Sequence, residues 1–173
     1  MRGLREPAGF REYVEARQTS LWRAAYLMVG DAHLAQDLVQ IALARAWRNW
    51  ERVARAEDVD AYVYRILANV FASSWRRRWR GELPSGDALP DPPAGDDGAS
   101  WEDRMTLLAA VRLLPRRQRA VIALRYYLDQ TESQTAQALG CSVGTVKSQA
   151  AKALASLRVQ LSADPDQAAE TTP

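Results

Sequence analysis

The chain has 173 residues, 47% of them hydrophobic and 25% charged, with a formal net charge of +2. That length holds one domain or two small ones with an ample aliphatic core. A single cysteine excludes an intramolecular disulfide, no Cys/His spacing suits zinc, and no stretch approaches the ~20 apolar residues of a membrane span.

Neither metal nor cofactor nor membrane is therefore expected. With no apolar run suited to a signal peptide at the N-terminus, a reducing cytoplasmic compartment fits. The periodicity predicts an all-α protein of two small helical domains. Residues 1–80 form the first, 81–100 a linker, 101–161 the second, and 162–173 a disordered acidic tail.

In the first domain, apolar residues at Tyr13, Val14, Leu21, Trp22, Ala25, Leu27 and Met28 recur at helical spacing and predict a helix over Phe10–Val29. Gly30 ends it and Asp31 caps a second helix reaching about Trp50. The inner face of this helix is read as Leu34, Leu38, Ile41, Leu43, Ala46, Trp47 and Trp50. A polar loop, Glu51–Asp58, follows. A third helix begins near Asp60 and runs through Trp79, carrying Tyr62, Val63, Ile66, Leu67, Val70 and Phe71.

Charge is unevenly placed. Ala61–Arg80 holds five Arg and no acid, Arg104–Leu128 six Arg and no acid, and Glu82–Asp103 between them seven acids and no Lys or Arg. Two basic blocks around an acidic spacer favour a polyanionic partner for the blocks. The third helix ends in Phe71-Ala-Ser-Ser-Trp-Arg-Arg-Arg-Trp-Arg80, aromatics interleaved with arginine, a pattern suited to stacking on unpaired bases and holding their backbone. Tyr62, Tyr64, Phe71 and Trp75 read more readily as core residues, since large aromatics at helical spacing are more often core than not. Asn69 is readable either as a satisfied core amide or as a base reader. The Arg76–Arg80 cluster favours function, because its four cations repel one another without a polyanion.

The segment 81–100 contains four Pro and four Gly and lacks periodicity, so it buries too little to offset its ordering entropy. The second domain begins near Trp101. Its first helix ends at Leu114, Pro115 opens the next, and that one ends near Tyr127. Then comes DQTESQTAQALGCSVGTVKSQAAKALASL, Asp129 to Leu157 in chain order. Thr131 with Gln134 three residues later forms a capping box. Ala136 permits close helix approach, Gly140 takes a positive φ, Ser142 caps the next helix and Val146 points inward. This is a helix-turn-helix layout, whose second helix enters the major groove of DNA. A plain packed helical hairpin has the same layout. The outward set Gly144, Thr145, Lys147, Ser148, Gln149 and Lys152 tips the balance, because it contains no acid and suits base edges and phosphates.

No catalytic constellation is present. His33, the only histidine, sits in the first turn of a helix, and the linker carboxylates have no rigid frame for acid/base work. The chain is not expected to be an enzyme. A nuclease-like reading lacks metal ligands, a nucleophile–base pair and a phosphate loop. A conventional dimeric helix-turn-helix regulator, binding a palindrome without a larger assembly, is the alternative reading.

Four ordered blocks resemble the extracytoplasmic-function (ECF) group of bacterial RNA polymerase sigma factors. Asp37-Leu-Val-Gln40 with Ala46-Trp-Arg48 is similar to region 2.2, and Ala61-Tyr-Val-Tyr-Arg-Ile66 with Asn69 to regions 2.3 and 2.4. Leu114-Pro115 with Arg119 and Val121–Leu128 is similar to region 4.1, and Gly140–Leu157 to region 4.2. The resemblance implies partners: promoter DNA, core RNA polymerase through its clamp coiled coil and flap, and an anti-sigma factor. It implies core contacts at Asp37, Gln40, Arg45, Trp47 and Arg48. It implies single-strand capture of the promoter −10 element by the loop Glu51–Asp58 and by Tyr64, Arg65, Asn69, Trp75, Arg76 and Arg77. Ser142, Gly144, Thr145, Lys147, Ser148, Gln149 and Lys152 would bind the −35 duplex. Gln149, where the family commonly has Arg, and Ala151, where a larger residue is usual, depart from the pattern and bear on −35 preference.

Overall fold

A computed structural model describes residues 6–78 and 100–162. Eight α-helices and one π-helical turn make up the described residues: α1 Phe10–Val29, α2 Ala32–Arg48, α3 Trp50–Ala54, α4 Val59–Arg78, α5 Trp101–Leu113, α6 Arg116–Ile122, the π turn Ala123–Tyr127, α7 Glu132–Leu139 and α8 Val143–Ser162. The tail and most of the expected linker lie outside the described residues.

Local chemistry sets most boundaries. Gly30, at φ 73°, closes α1 by donating its N–H to the Tyr26 carbonyl. Asp31 then accepts from the Leu34 N–H at 2.8 Å and starts α2. Asp58 does the same for α4, accepting from the Ala61 N–H at 2.8 Å. Ser100 and Asp103 form a capping box at the head of α5. Leu114 and Pro115 separate α5 from α6, both in extended conformation.

Two boundaries differ from the sequence expectation. The second helix stops at Arg48, and the first half of the expected polar loop Glu51–Asp58 belongs to the short helix α3. Asn49 leaves helical geometry at φ −119°, and Trp50 turns inward. Trp50 is 5% exposed, meets the Phe10 ring edge-on at 5.1 Å and donates its indole N–H to the Ala8 carbonyl at 2.9 Å. This non-local anchoring of Trp50 stabilises a helix too short to stand alone. The second difference is the π turn, marked by Leu128 N–H donating to the Ala123 carbonyl at 2.9 Å.

Helices α1, α2 and α4 pack together around Leu21, Met28, Val63, Leu67 and Val70, all fully buried, with Val53 of α3 beside them. Tyr13 and Arg17 of α1 both reach Asp60 at the head of α4, by a 3.0 Å hydroxyl hydrogen bond and a 2.8 Å ion pair. The second helical unit has two smaller clusters. One joins Ala110, Val111 and Leu114 to Ile122, Ala153 and Leu157. The other gathers Val121, Ala136, Val146 and Ala150 under the helix-turn-helix.

The two units are packed against each other. Ala120, Ala123, Leu124, Leu128 and Ala138, all carried by the second unit, belong to the hydrophobic cluster of the first. Fully burying a Leu is worth about 1.5–3 kcal/mol, so Leu124 and Leu128 alone make this seam substantial. Arg112 and Arg119 crowd Gly30, lying 3.4 and 3.5 Å from where a Cβ would stand. Their charge faces the carbonyl end of α1, where the helix dipole favours cations.

Candidate nucleic-acid interface

The helix-turn-helix is built by local signals. Thr131 accepts from the Gln134 N–H at 3.1 Å while Gln134 Oε1 accepts from the Thr131 N–H at 2.9 Å, completing the capping box. Gly140 ends α7 at φ 64°, and Cys141 N–H donates to the Ala136 carbonyl at 3.0 Å. Ser142 Oγ accepts from the Thr145 N–H at 3.1 Å and caps α8. Val146 is fully buried and Ala136 nearly so, which fixes the angle of α8 against α7. Cys141 is half-buried against this cluster.

This arrangement exposes one face of α8. Ser142, Gly144, Lys147, Ser148 and Lys152 are exposed, and Thr145 and Gln149 are half-buried on its flank. Lys147 makes a 3.6 Å ion pair with Glu132 on α7, both ends open to solvent. Such a pair is worth roughly 0–1 kcal/mol and yields readily to a phosphate.

The α4 set divides. Asn69 is exposed, which excludes the core-amide reading, and Arg65 is half-exposed with its guanidinium 4.7 Å over the Tyr62 ring. Tyr64 is 5% exposed and Phe71 likewise. Burial first, then the nearby Asp60 carboxylate, pushes the Tyr64 hydroxyl up to about 12. The helix backbone continues through Trp75, Arg76 and Arg77, whose side chains lie outside the described residues.

On α2, Asp37, Gln40, Arg45 and Arg48 are exposed and Trp47 is half-buried. The buried face is Ala35, Leu38, Val39, Ala42 and Ala46. At about 100° per residue, Ile41 falls on the flank of that face, one turn after Asp37 and one turn before Arg45. It is 43% exposed, not inward as its hydrophobicity suggested. Ile41 is thus an exposed apolar side chain on α2 beside the exposed Asp37, Arg45 and Arg48. The second unit also exposes apolar groups, with Leu107 and Leu113 on α5 and Val159 and Leu161 on α8, two helices that pack together.

The sites lie apart, with one exception. The flank of α8 faces α4 across a cleft of about 500 Å³, lined by Phe71 and Ala72 on one side and Thr145, Val146 and Gln149 on the other. Arg116 crosses beside it, its guanidinium 3.9 Å over the Phe71 ring and donating to the Phe71 carbonyl at 2.7 Å.

Among the described residues no helix is long and apolar enough to cross a membrane. Sigma-70 region 2 matches residues 13–81 and sigma-70 region 4 matches residues 104–157. An RNA polymerase sigma-E factor of Streptomyces coelicolor is 41% identical over 152 residues, covering 88% of this chain and 85% of its own length. The ECF RNA polymerase sigma factor SigL of Mycobacterium tuberculosis is 32% identical, with 90% of each chain covered. Among solved structures, the sigma factor RpoE of Bartonella quintana, in complex with the anti-sigma factor NepR, superposes with a TM-score of 0.75 at 25% identity, covering 90% of this chain and 98% of that one. With its two matched regions in order, its all-helical described fold and these relatives, the chain belongs to the ECF group of RNA polymerase sigma factors.

Proposed function

We propose a residue-level division of labour for this sigma factor. The outer face of α2 docks on core RNA polymerase, with Ile41 as the apolar anchor and Asp37, Gln40, Arg45, Trp47 and Arg48 around it. Helix α4 captures the −10 element as a single strand through Arg65, Asn69 and the Trp75, Arg76 and Arg77 end. Helix α8 reads the −35 duplex through Ser142, Gly144, Thr145, Lys147, Ser148, Gln149 and Lys152. The exposed apolar groups Leu107, Leu113, Val159 and Leu161 rest on the polymerase flap. An anti-sigma factor is a further partner, a reading supported by the fold shared with RpoE in its complex with NepR. The chain acts as a binding subunit in the cytoplasm, where its polymerase resides, and catalyses no reaction itself.

The observation that carries this reading is the α8 face, acid-free and held outward by the capping box of α7 and the buried Val146. Duplex recognition needs such a face, and its phosphate contacts give position while its base contacts give sequence. Run-off transcription tests the assignment. Core polymerase with this chain initiates at a promoter carrying both elements. A pairing of Lys147→Ala and Asn69→Ala that left initiation and open-complex formation unchanged would discard the residue assignments.

A further inference from the structure

The cleft of about 500 Å³ between α4 and the second unit has no occupant among the partners assigned above. Its walls come from both units, α4 on one side and α6, α7 and α8 on the other. Two polar links fix the spacing of those walls. Arg116 stacks on Phe71 and donates to its carbonyl, and Gln134 Nε2 donates to Asp58 Oδ2 at 3.1 Å.

The lining has two chemistries. Phe71, Val121 and Val146 give it an apolar floor, each at most 5% exposed. Two donors line it nearer solvent. Arg117 is exposed and Gln149 half-buried, and neither makes a hydrogen bond or ion pair among the described residues. No acid lines the cleft, and the Arg116 guanidinium adds a second positive charge. The volume falls within the range of small-molecule pockets, which combine apolar walls with a few placed polar groups. One open guanidinium matches one negative charge, and its planar fork suits a carboxylate. A nucleoside polyphosphate would bring more charge than these donors meet.

We propose that this cleft binds a small amphipathic carboxylate, an acyl or aryl acid. Its apolar body lies on Phe71, Val121 and Val146, and its head accepts from the Arg117 guanidinium and the Gln149 amide. Thr145 and Gln149, which line the cleft, also belong to the set assigned above to the −35 duplex. On that reading, the acid and the duplex compete for the same flank of α8. Promoter recognition thereby becomes sensitive to the concentration of an apolar acid.

The test uses the full chain and decanoate, kept below its micelle-forming concentration. Isothermal titration calorimetry gives a single site per chain, and decanol, with the same apolar length, binds more weakly. Arg117→Gln weakens decanoate on the order of tenfold and leaves decanol unchanged. Ala72→Trp, at an exposed position lining the cleft, fills it and weakens both. Circular dichroism melts matching the wild type show that both variants fold. Cys141, the sole cysteine, lines the cleft and reports its occupancy. Decanoate slows its alkylation by iodoacetamide saturably in the wild type and not in Ala72→Trp. Fluorescence anisotropy then shows decanoate weakening −35 duplex binding by the wild type but not by Ala72→Trp. Absence of saturable decanoate binding, or equal binding by the wild type and both variants, overturns the site. Duplex affinity unmoved by saturating decanoate overturns the competition. A wild-type chain that binds no −35 duplex even without decanoate overturns the reading of α8 instead, and the calorimetry judges the site independently of it.

Discussion

Arg116 and Phe71, 45 positions apart in the chain, are joined twice: the guanidinium lies over the ring at 3.9 Å and donates to the backbone carbonyl of the same residue at 2.7 Å. The planar, delocalised cation is what makes both contacts possible at once. Arg116→Ala is expected to lower stability by about 1–3 kcal/mol in urea unfolding. Arg116→Lys should recover little of that loss, because an ammonium does not match the stacked geometry. Full recovery by Lys would mean that charge alone matters at this position.

Ile41 offers a separation of folding from docking. Because its side chain points outward, Ile41→Glu should leave the melting temperature nearly unchanged while weakening association with core polymerase by more than about 2 kcal/mol, the scale of an anchor residue lost from a docking patch. Surface plasmon resonance with immobilised core enzyme reads the association, and calorimetry reads the fold.

Lys147→Ala should weaken binding to a −35 duplex by about 1 kcal/mol or somewhat more. If the contact is to a phosphate, the slope of log affinity against log salt also falls by about 0.9. Glu132→Gln, which removes the exposed partner of Lys147, should strengthen binding slightly, within the roughly 0–1 kcal/mol of such a pair. Fluorescence anisotropy at several salt concentrations measures both.

Gly140→Ala tests backbone conformation in isolation. Nothing lies within 4 Å of the added methyl, so no clash contributes. The residue must still hold φ 64°, in the left-handed region that costs an L-residue about 1–2 kcal/mol. A fall in thermal stability of that size is expected, with −35 affinity following it as the turn loosens.

The alkaline limb of the stability profile should carry the mark of Tyr64. Its hydroxyl is held neutral in the folded chain up to about pH 12, whereas an unfolded tyrosine ionises near 10. The unfolded state therefore binds fewer protons between those values, and stability falls as pH rises from 10 through 12. Below pH 10 the contribution is complete. Tyr64→Phe should make this limb shallower without removing it, because burial and the Asp60 carboxylate raise the Tyr13 hydroxyl further still, as followed by circular dichroism in urea at fixed pH.

Much of the site was legible because its signals are local. Thr131, Gln134, Gly140 and Ser142 act on backbone groups within three or four residues of themselves, so their spacing alone specifies the turn that presents α8. The α2 patch was partly legible. Its charged members were readable as exposed, but Ile41 was assigned inward on hydrophobicity, and its place three residues after the buried Leu38 gave no signal against that reading. Helix α3 was hidden because five residues make no periodicity, and the indole of Trp50 is satisfied by Ala8, 42 positions away. The seam was hidden for the same reason. Nothing near Phe71 announces that Arg116 will cover it, and nothing near Asp58 announces Gln134, 76 positions distant.

The π turn at Ala123–Tyr127 gives the segment that follows α6 a second allegiance. Val121 and Ile122 face the clusters of their own unit, while Ala123, Leu124 and Leu128 are spent on the neighbouring one. Modules cut from this chain at its linker would therefore carry an orphaned greasy stripe. Promoter-reading halves exchanged between relatives should work as grafts only when that stripe meets a recipient shaped to receive it.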